Sequence, residues 1–156
     1  MMYKKILLPI DGSENSKRAA THAINIIDMT DSTITVLFVV EPYYPKLPVL
    51  PIATLPSPDD DYYIEVREEG EKIIKDFKKE LEENQCKGKC KNIHLKTLVK
   101  EGKPHIEILK TIDEEKNVDL VVMGASGRHS ALDRITLGSV TERVIREARV
   151  PIIIIP

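Results

Sequence analysis

The feature of this sequence that most constrains its fold is a series of short, almost continuously apolar segments separated by longer amphipathic ones. Thr33–Val40 (TITVLFVV), Asp119–Met123 (DLVVM) and Val150–Ile155 (VPIIII) are of this kind. Their length and β-branched residues indicate strands that are covered on both faces. Because such strands alternate with amphipathic segments, the sequence predicts a doubly wound α/β fold. We expect five parallel strands joined by right-handed crossovers, with helices on both faces of the sheet.

The other elements follow from the same kinds of pattern. Tyr3–Leu8 ends in an apolar run and predicts a first strand that stops at Pro9, and Ile93–Val99 predicts the third strand. Ser13 is a typical N-cap residue for the amphipathic segment that follows it. The predicted helices run from Ser13 to about Met29, from Asp59 to Glu83, from Lys103-Pro104 onward, and from Ser139 to Ala148.

Length and composition fit a single domain over residues 1–156. The chain has 156 residues, of which 42% are hydrophobic, enough for one sizeable core and too few for two comfortable domains. Pro42–Pro58 carries six prolines, which remove backbone donors and fix φ too often for a helix or a central strand. We expect that segment to form an excursion outside the core.

Charge and hydropathy disfavour several classes of partner. The net charge of −2 gives the whole molecule no attraction to nucleic acid or to an acidic membrane surface. No apolar run approaches the ~18 residues that a membrane span needs, and Met1–Leu8 lacks a cleavage site of small residues. The two cysteines, Cys86 and Cys90, then indicate a reducing cytosol, so we expect a cytoplasmic protein. Their spacing also leaves a zinc or redox site open beside a lysine-rich surface turn.

Two glycine-containing segments near the C-terminus carry the strongest functional signal. Gly124–Arg128 (GASGR) follows a predicted buried strand, and Gly138–Thr141 (GSVT) opens the last predicted helix. Glycines allow the backbone to approach a ligand closely, and the free amides of a helix N-terminus attract phosphate oxygens. The chain has no Gly-Lys-Ser/Thr and no Gly-x-Gly-x-x-Gly pattern, which excludes a P-loop and a dinucleotide-binding motif. The two segments therefore predict a phosphate site of another type.

This arrangement resembles the ATP-binding branch of the universal stress protein family, in which a strand is followed by Gly, two residues, Gly, and a later Gly-Ser or Gly-Thr. The similarity extends to Lys4–Ser13, Val36–Val40, Val118–Gly124 and the chain after Gly138. Four similar segments in the same order are more specific than one glycine motif. The resemblance implies a Rossmann-like sheet of the adenine nucleotide alpha hydrolase type that holds ATP.

The resemblance also implies roles for individual residues. Asp11 would lie beside the ribose or the metal–phosphate region, and Val39 would meet adenine through its backbone. Gly124 and Gly127 would flank the ribose and the α-phosphate. The start of the last helix would receive the outer phosphates, with Mg²⁺ held mainly by phosphate oxygens and Asp11 as a candidate ligand. The full predicted site is Pro9, Asp11, Val39, Met123, Gly124, Gly127, Arg128, Gly138, Ser139, Val140 and Thr141.

Several of these residues also have a purely structural explanation. Ser139 and Glu142 form the pattern of a capping box, in which the serine satisfies helix amides. Asp11 can close an Asx-turn with the backbone two residues further on. Gly124 and Gly127 can be ordinary turn glycines.

The function that this pattern favours is that of an ATP-binding regulatory or stress-response protein, a nucleotide-dependent switch with little or no hydrolysis. The resemblance also implies a homodimer paired through the last strand, and an unknown protein partner. A slow ATPase or an ATP-dependent transferase would need a base or nucleophile, for which the loop offers Ser126, His129, Ser130 and Asp133. A nucleotide-free interaction module is the third alternative. It is favoured by the ten residues between Gly127 and Gly138, one more than is usual in the family.

Overall fold

Strands and helices alternate along the part of the chain that the computed structural model describes, residues 3–28, 30–41, 60–80, 82–83, 92–127 and 137–156. The strands are β1 (Lys5–Ile10), β2 (Ser32–Val40), β3 (Ile93–Glu101), β4 (Leu120–Gly124) and β5 (Ile152–Ile155). The helices are α1 (Glu14–Ile26), α2 (Asp60–Glu80), α3 (Pro104–Glu114) and α4 (Ser139–Glu147). All neighbouring strands are parallel, in the order β3-β2-β1-β4-β5. The predicted doubly wound α/β sheet is confirmed.

The sheet is covered on both faces, as its apolar strands predict. Leu8 and Val36 point to the face that α1 and α2 cover, and Leu7 and Leu37 point to the face that α3 and α4 cover. Leu7, Leu8 and Leu37 are each 0% exposed. This double burial explains why the central strands lack the polar–apolar alternation of a half-exposed sheet. In the described part of the chain, no helix is both long and apolar enough to cross a membrane.

The prediction that β1 stops at Pro9 is wrong, because this proline does not interrupt the pairing with β2. Asp119 N donates to Lys5 O (2.8 Å), so the backbone groups of Lys5 point towards β4. Since these groups alternate in direction along a strand, those of Leu7 and Pro9 also point towards β4. The missing N–H of Pro9 therefore affects the β4 side alone. Pairing with β4 ends at Leu7, whereas pairing with β2 continues to Ile10.

Helix α1 begins as predicted and ends earlier than predicted. Ser13 is its N-cap residue, and the Ser13 side chain accepts a hydrogen bond from Ser16 N. The helix ends at Ile26 and not near Met29, because Ile27 is extended (φ −73°, ψ 147°) and forms a bridge to Tyr3. The apolar spacing predicted a longer helix because Ile27 is buried in the same core without being helical.

The remaining bounds differ from the predicted ones by a few residues. Strand β3 continues past Val99 to Glu101, because it pairs with β2 residue by residue as far as Val40. Helix α4 ends before Ala148, and β5 begins after Val150. The predicted excursion at Pro42–Pro58 and the cysteine pair, Cys86 and Cys90, lie outside the described residues.

Helix α2 crosses β2 at a glycine. Gly70 is buried, and a Cβ atom built on it would lie 2.7 Å from two carbon atoms of the Phe38 ring. Since non-bonded carbon atoms prefer about 3.5–4.0 Å, glycine is the residue that allows this close approach. The crossing places the middle of α2 over the carboxyl end of β2, where the cavity described below begins.

Candidate functional site

A cavity of about 570 Å³ opens at the carboxyl edge of the sheet, beside the ends of β1, β2 and β4. The chain winds outward from β1 to β3 and then returns to β4, so β1 and β4 flank the topological switch point, where ligands bind in open α/β sheets. Arg128 lies outside the described residues. The other ten predicted residues line this cavity: Pro9, Asp11, Val39, Met123, Gly124, Gly127, Gly138, Ser139, Val140 and Thr141.

The start of α4 supplies backbone donors to this cavity that pair with no described residue. Gly138 is the N-cap residue, and no side chain caps the helix within the described part of the chain. The capping-box explanation of Ser139 is therefore wrong: this serine is the first helical residue, and Glu142 pairs with Arg146 (2.8 Å). Nor does any described residue accept a hydrogen bond from the amides of Ser139–Thr141. Such amides, at the positive end of the helix dipole, suit an anion.

The loop after β4 is tied directly to the start of α4. Gly138 N donates to Ala125 O (2.8 Å), and the hydroxyl of buried Thr141 donates to Gly124 O (3.0 Å). Ala125 N in turn donates to Ile155 O at the end of β5 (2.8 Å). The hydroxyl of Thr141 thus holds the loop, while its backbone N–H remains one of the amides at the start of α4.

The three glycines of the site each face crowding from the chain itself. A Cβ atom on Gly124 would lie 2.8 Å from Asn15 Cβ, and one on Gly127 would lie 2.6 Å from Asp11 Oδ2. One on Gly138 would lie 3.3 Å from Ser126 Cα. Close packing of the protein on itself therefore opposes a side chain at Gly124 and Gly127 and leaves little room for one at Gly138, in addition to any need for space beside a ligand.

Asp11 has the structural role that was considered for it and also faces the cavity. Its Oδ1 atom accepts a hydrogen bond from Ser13 N (2.9 Å), which is an Asx-turn. Gly12 completes the turn with a φ of +80°, a conformation that favours glycine. The turn fixes the carboxylate of Asp11 against the α-carbon of Gly127, so the loops after β1 and β4 meet at this side chain.

The carbonyl of Val39 lies just beyond the end of the β1–β2 ladder. Thr33 N donates to Lys4 O (2.7 Å), so odd-numbered residues of β2 direct their backbone groups towards β1. The last pair of the ladder is Ile10–Phe38, and beyond it β1 turns away at Gly12. The carbonyl of Val39 therefore points at the space that β1 vacates, on the wall of the cavity.

The charge of the described cavity wall is negative. Three carboxylates, Asp11, Glu41 and Glu69, line it, and no lysine or arginine does so within the described residues. A polyphosphate would need positive charge from a divalent cation, from the helix dipole or from Arg128, which lies outside those residues. No group of three or more His, Cys, Asp or Glu side chains able to hold a metal occurs in that same part of the chain. The donors present fit a cation held mainly by phosphate oxygens, with Asp11 as a protein ligand.

Sequence reasoning missed the wall that α2 and its neighbours contribute. Phe38, Val66 and Ile108 supply apolar surface to the cavity, and Ser16 lines it as well. Periodicity marks such residues as core, so nothing in their pattern separates a cavity wall from a packed interior. Of the catalytic candidates, Ser126 is described, and its hydroxyl accepts a hydrogen bond from Asn15 Nδ2 (2.7 Å). The others, His129, Ser130 and Asp133, lie outside the described residues.

Comparison with known proteins agrees with the fold. A sequence model of the universal stress protein family matches residues 2–156. Universal stress protein MJ0531 of Methanocaldococcus jannaschii is 40% identical over 156 residues, which cover 99% of this chain and 82% of that protein.

Solved structures show the same architecture. The universal stress protein UspA from Lactobacillus plantarum matches with a TM-score of 0.76 at 26% identity, over 100% of this chain and 99% of that one. A universal stress protein family member from Arabidopsis thaliana with AMP bound shares the fold, with a TM-score of 0.61 at 18% identity, over 97% and 90% of the two chains. The similarity in sequence and fold runs over nearly the whole chain, and the predicted resemblance to the family is confirmed. This chain therefore belongs to the universal stress protein family.

Proposed function

We propose that this protein binds ATP, with Mg²⁺, in the cavity at the carboxyl edge of the sheet and acts as a regulatory protein in a stress response. The observation that carries the proposal is the group of amides at the start of α4, which pair with no described residue and open onto a cavity lined by the glycine-containing loop. A helix N-terminus of this kind is a ready anion site, and glycines beside it admit a phosphate chain.

The proposed orientation of the nucleotide follows from the chemistry of the cavity wall. The base lies against the apolar surface of Val39 and Ile108, and the carbonyl of Val39 accepts a hydrogen bond from the exocyclic amino group of adenine. The ribose and α-phosphate lie beside Gly124 and Gly127, and the outer phosphates lie at the amides of Ser139–Thr141. The structure of the Arabidopsis relative with AMP bound supports an adenine nucleotide as the ligand class.

Positive charge in the proposed complex comes chiefly from the metal. Mg²⁺ prefers oxygen ligands in octahedral geometry and is usually bound through phosphates and one or two carboxylates. Asp11 is the carboxylate that lies between the two loops, and Arg128 is positioned in sequence to add a second positive group. We also propose that the complex hydrolyses ATP little or not at all, since no described residue acts as a base that accepts a hydrogen bond from the hydroxyl of Ser126, whose described partner is the donor Asn15 Nδ2.

Titration of the purified protein with nucleotides tests this proposal. We expect ATP to bind in the presence of Mg²⁺, and GTP to bind at least about tenfold more weakly, because its O6 atom is an acceptor that faces the Val39 carbonyl. Isothermal titration calorimetry with each nucleotide, with and without Mg²⁺, gives both dissociation constants. Equal affinity for ATP and GTP would overturn the proposed orientation, and no binding of either would overturn the function.

We further propose that the protein is a cytoplasmic homodimer in which two copies of β5 pair along their edges. Strand β5 pairs with β4 on one side, and its other edge carries four isoleucines and no charge. By contrast, the opposite edge strand, β3, carries Lys96 and Lys100, which pair with Glu115 and Glu114 at the C-terminal end of α3. Charged residues of this kind block edge pairing, and their absence permits it.

Light scattering tests this assembly. We expect twice the mass of the chain at micromolar concentration, and the mass of one chain for Ile153→Lys, which places a charge in the paired edge. Thr97→Lys, on the edge strand β3, serves as the matched control and should keep the mass of the parent. A parent protein that scatters as a monomer would remove the proposal.

A further inference from the structure

We propose that Asn15 of α1 is the residue that holds the loop after β4 in the shape that receives the phosphates. This inference rests on the nucleotide-binding function proposed above. Asn15 is not among the residues that line the cavity. It would act through Ser126, which does line it, and so we describe Asn15 as a positioning residue.

The side chain of Asn15 makes two hydrogen bonds to one residue of the loop. Its Nδ2 atom donates to Ser126 O (3.2 Å) and to Ser126 Oγ (2.7 Å). One amide group thus fixes both the backbone and the side chain of Ser126.

The orientation of this amide is itself fixed. Arg18 Nη2 donates to Asn15 Oδ1 from one turn further along α1. Because a guanidinium group has donors and no acceptor, it can bond the oxygen of the amide and not the nitrogen. Arg18 therefore holds Nδ2 towards Ser126. A reversed amide would lose the contacts with Arg18 and with the carbonyl of Ser126, and only the Ser126 hydroxyl, which can also donate, could still pair with it.

Close packing links Asn15 to the loop after β4, and links that loop to the start of α4. The α-carbon of Gly124 lies so close to Asn15 that an added Cβ would be 2.8 Å from Asn15 Cβ and 3.1 Å from Asn15 C. On its other side, Ser126 Cα would lie 3.3 Å from a Cβ on Gly138, the N-cap residue of α4. Ser126 is thus held between α1 and the helix whose amides face the cavity. A shift of Ser126 changes the distance between the loop and those amides.

Two substitutions of Asn15 separate its hydrogen bonds from its packing. Asn15→Ala removes the amide. Asn15→Asp keeps its shape, but the carboxylate cannot donate and would face the carbonyl oxygen of Ser126. For both variants we expect the Kd for ATP to rise about tenfold and the Kd for adenosine, which lacks phosphates, to change by less than about twofold. Calorimetric titration with ATP–Mg²⁺ and with adenosine measures both constants.

The controls distinguish positioning from general loss of structure. His22→Ala, at an exposed position on the same helix, should leave both constants and the melting temperature as in the parent. In a Ser126→Ala background, Asn15→Ala should weaken ATP binding less than in the parent, because one of the contacts it removes is already absent.

The possible results distinguish failure of the role of Asn15 from failure of the proposed nucleotide-binding function. If the variants lose ATP and adenosine affinity equally, or keep the ATP affinity of the parent while the parent binds ATP, the role of Asn15 is refuted and the proposed function stands. If the parent binds neither ligand, the proposed function fails and this inference fails with it.

Discussion

Gly138→Val is expected to raise the Kd for ATP by about a hundredfold, because losing one or two hydrogen bonds between backbone amides and a charged phosphate costs about 1.5–3 kcal/mol each. Gly138 has φ −64° and ψ 151°, a conformation that any residue adopts, so the backbone itself is not strained by valine. The effect comes from the side chain. Its Cβ would lie 3.3 Å from Ser126 Cα and 3.4 Å from Ala125 O, and its two methyl groups need space beyond that.

The two methyl groups of the valine can be accommodated in two ways, and each disrupts the proposed phosphate site. They either enter the cavity, which Gly138 lines, or push the loop away from the start of α4 and break the hydrogen bond from Gly138 N to Ala125 O. Gly138→Ala is the matched control: it adds the Cβ alone, and we expect its Kd for ATP to rise by less than about tenfold. Titration of both variants checks this, with the melting temperature as a measure of folding. A valine variant that binds ATP like the parent would show that the phosphates lie elsewhere.

Gly70→Val is expected to lower the free energy of unfolding by roughly 2 kcal/mol and the melting temperature by about 4–8 °C. Helix propensity alone predicts a small gain, since valine is slightly more favourable than glycine in a helix interior. Packing opposes this gain and outweighs it. Even a Cβ at this position would lie 2.7 Å from the Phe38 ring, and the ring is itself 7% exposed, with little room to move.

Two further variants isolate the packing effect. Glu68→Val places the same side chain at an exposed position of the same helix and should leave stability within about 0.5 kcal/mol of the parent. Phe38→Leu should restore part of the stability that Gly70→Val loses, because it replaces the ring that the valine side chain would overlap with a smaller side chain. Thermal unfolding followed by circular dichroism measures all three. If Gly70→Val is as stable as the parent, α2 does not approach β2 as closely as the structure indicates.

Much of the fold was predictable because double burial leaves a clear pattern. The continuously apolar Thr33–Val40 identifies a central parallel strand, and the alternation of strands with helices fixes the class. Pro9 shows where such reasoning fails. A proline ends pairing on one side of a strand, and the sequence does not reveal to which neighbour its missing donor points. The predicted end of α1 was wrong for a related reason, since Ile27 is buried as an extended residue bridged to Tyr3 and not as part of the helix.

The sequence predicted which segments form the candidate site, but not the contacts that hold those segments in place. The spacing of Gly124, Gly127 and Gly138 identified two segments that the fold brings to one cavity. The side chain that holds the first of these segments against α1, Asn15, lies more than 100 residues away in sequence from Ser126, and a single asparagine near the start of a helix carries no pattern. Gly70 is a similar case. A side chain there would collide with the ring of Phe38 in β2, and no local sequence pattern predicts that contact.

The central claim is that main-chain amides at the start of α4 bind the phosphates of an adenine nucleotide. The most direct measurement is the shift of individual backbone amide signals in the NMR spectrum of labelled protein as ATP and Mg²⁺ are added. We predict the largest shifts for Gly127 and for Ser139, Val140 and Thr141, with adenosine reproducing the shift at Val39 but not those at α4. Shifts that leave the Ser139–Thr141 amides unchanged while ATP binds would contradict the account.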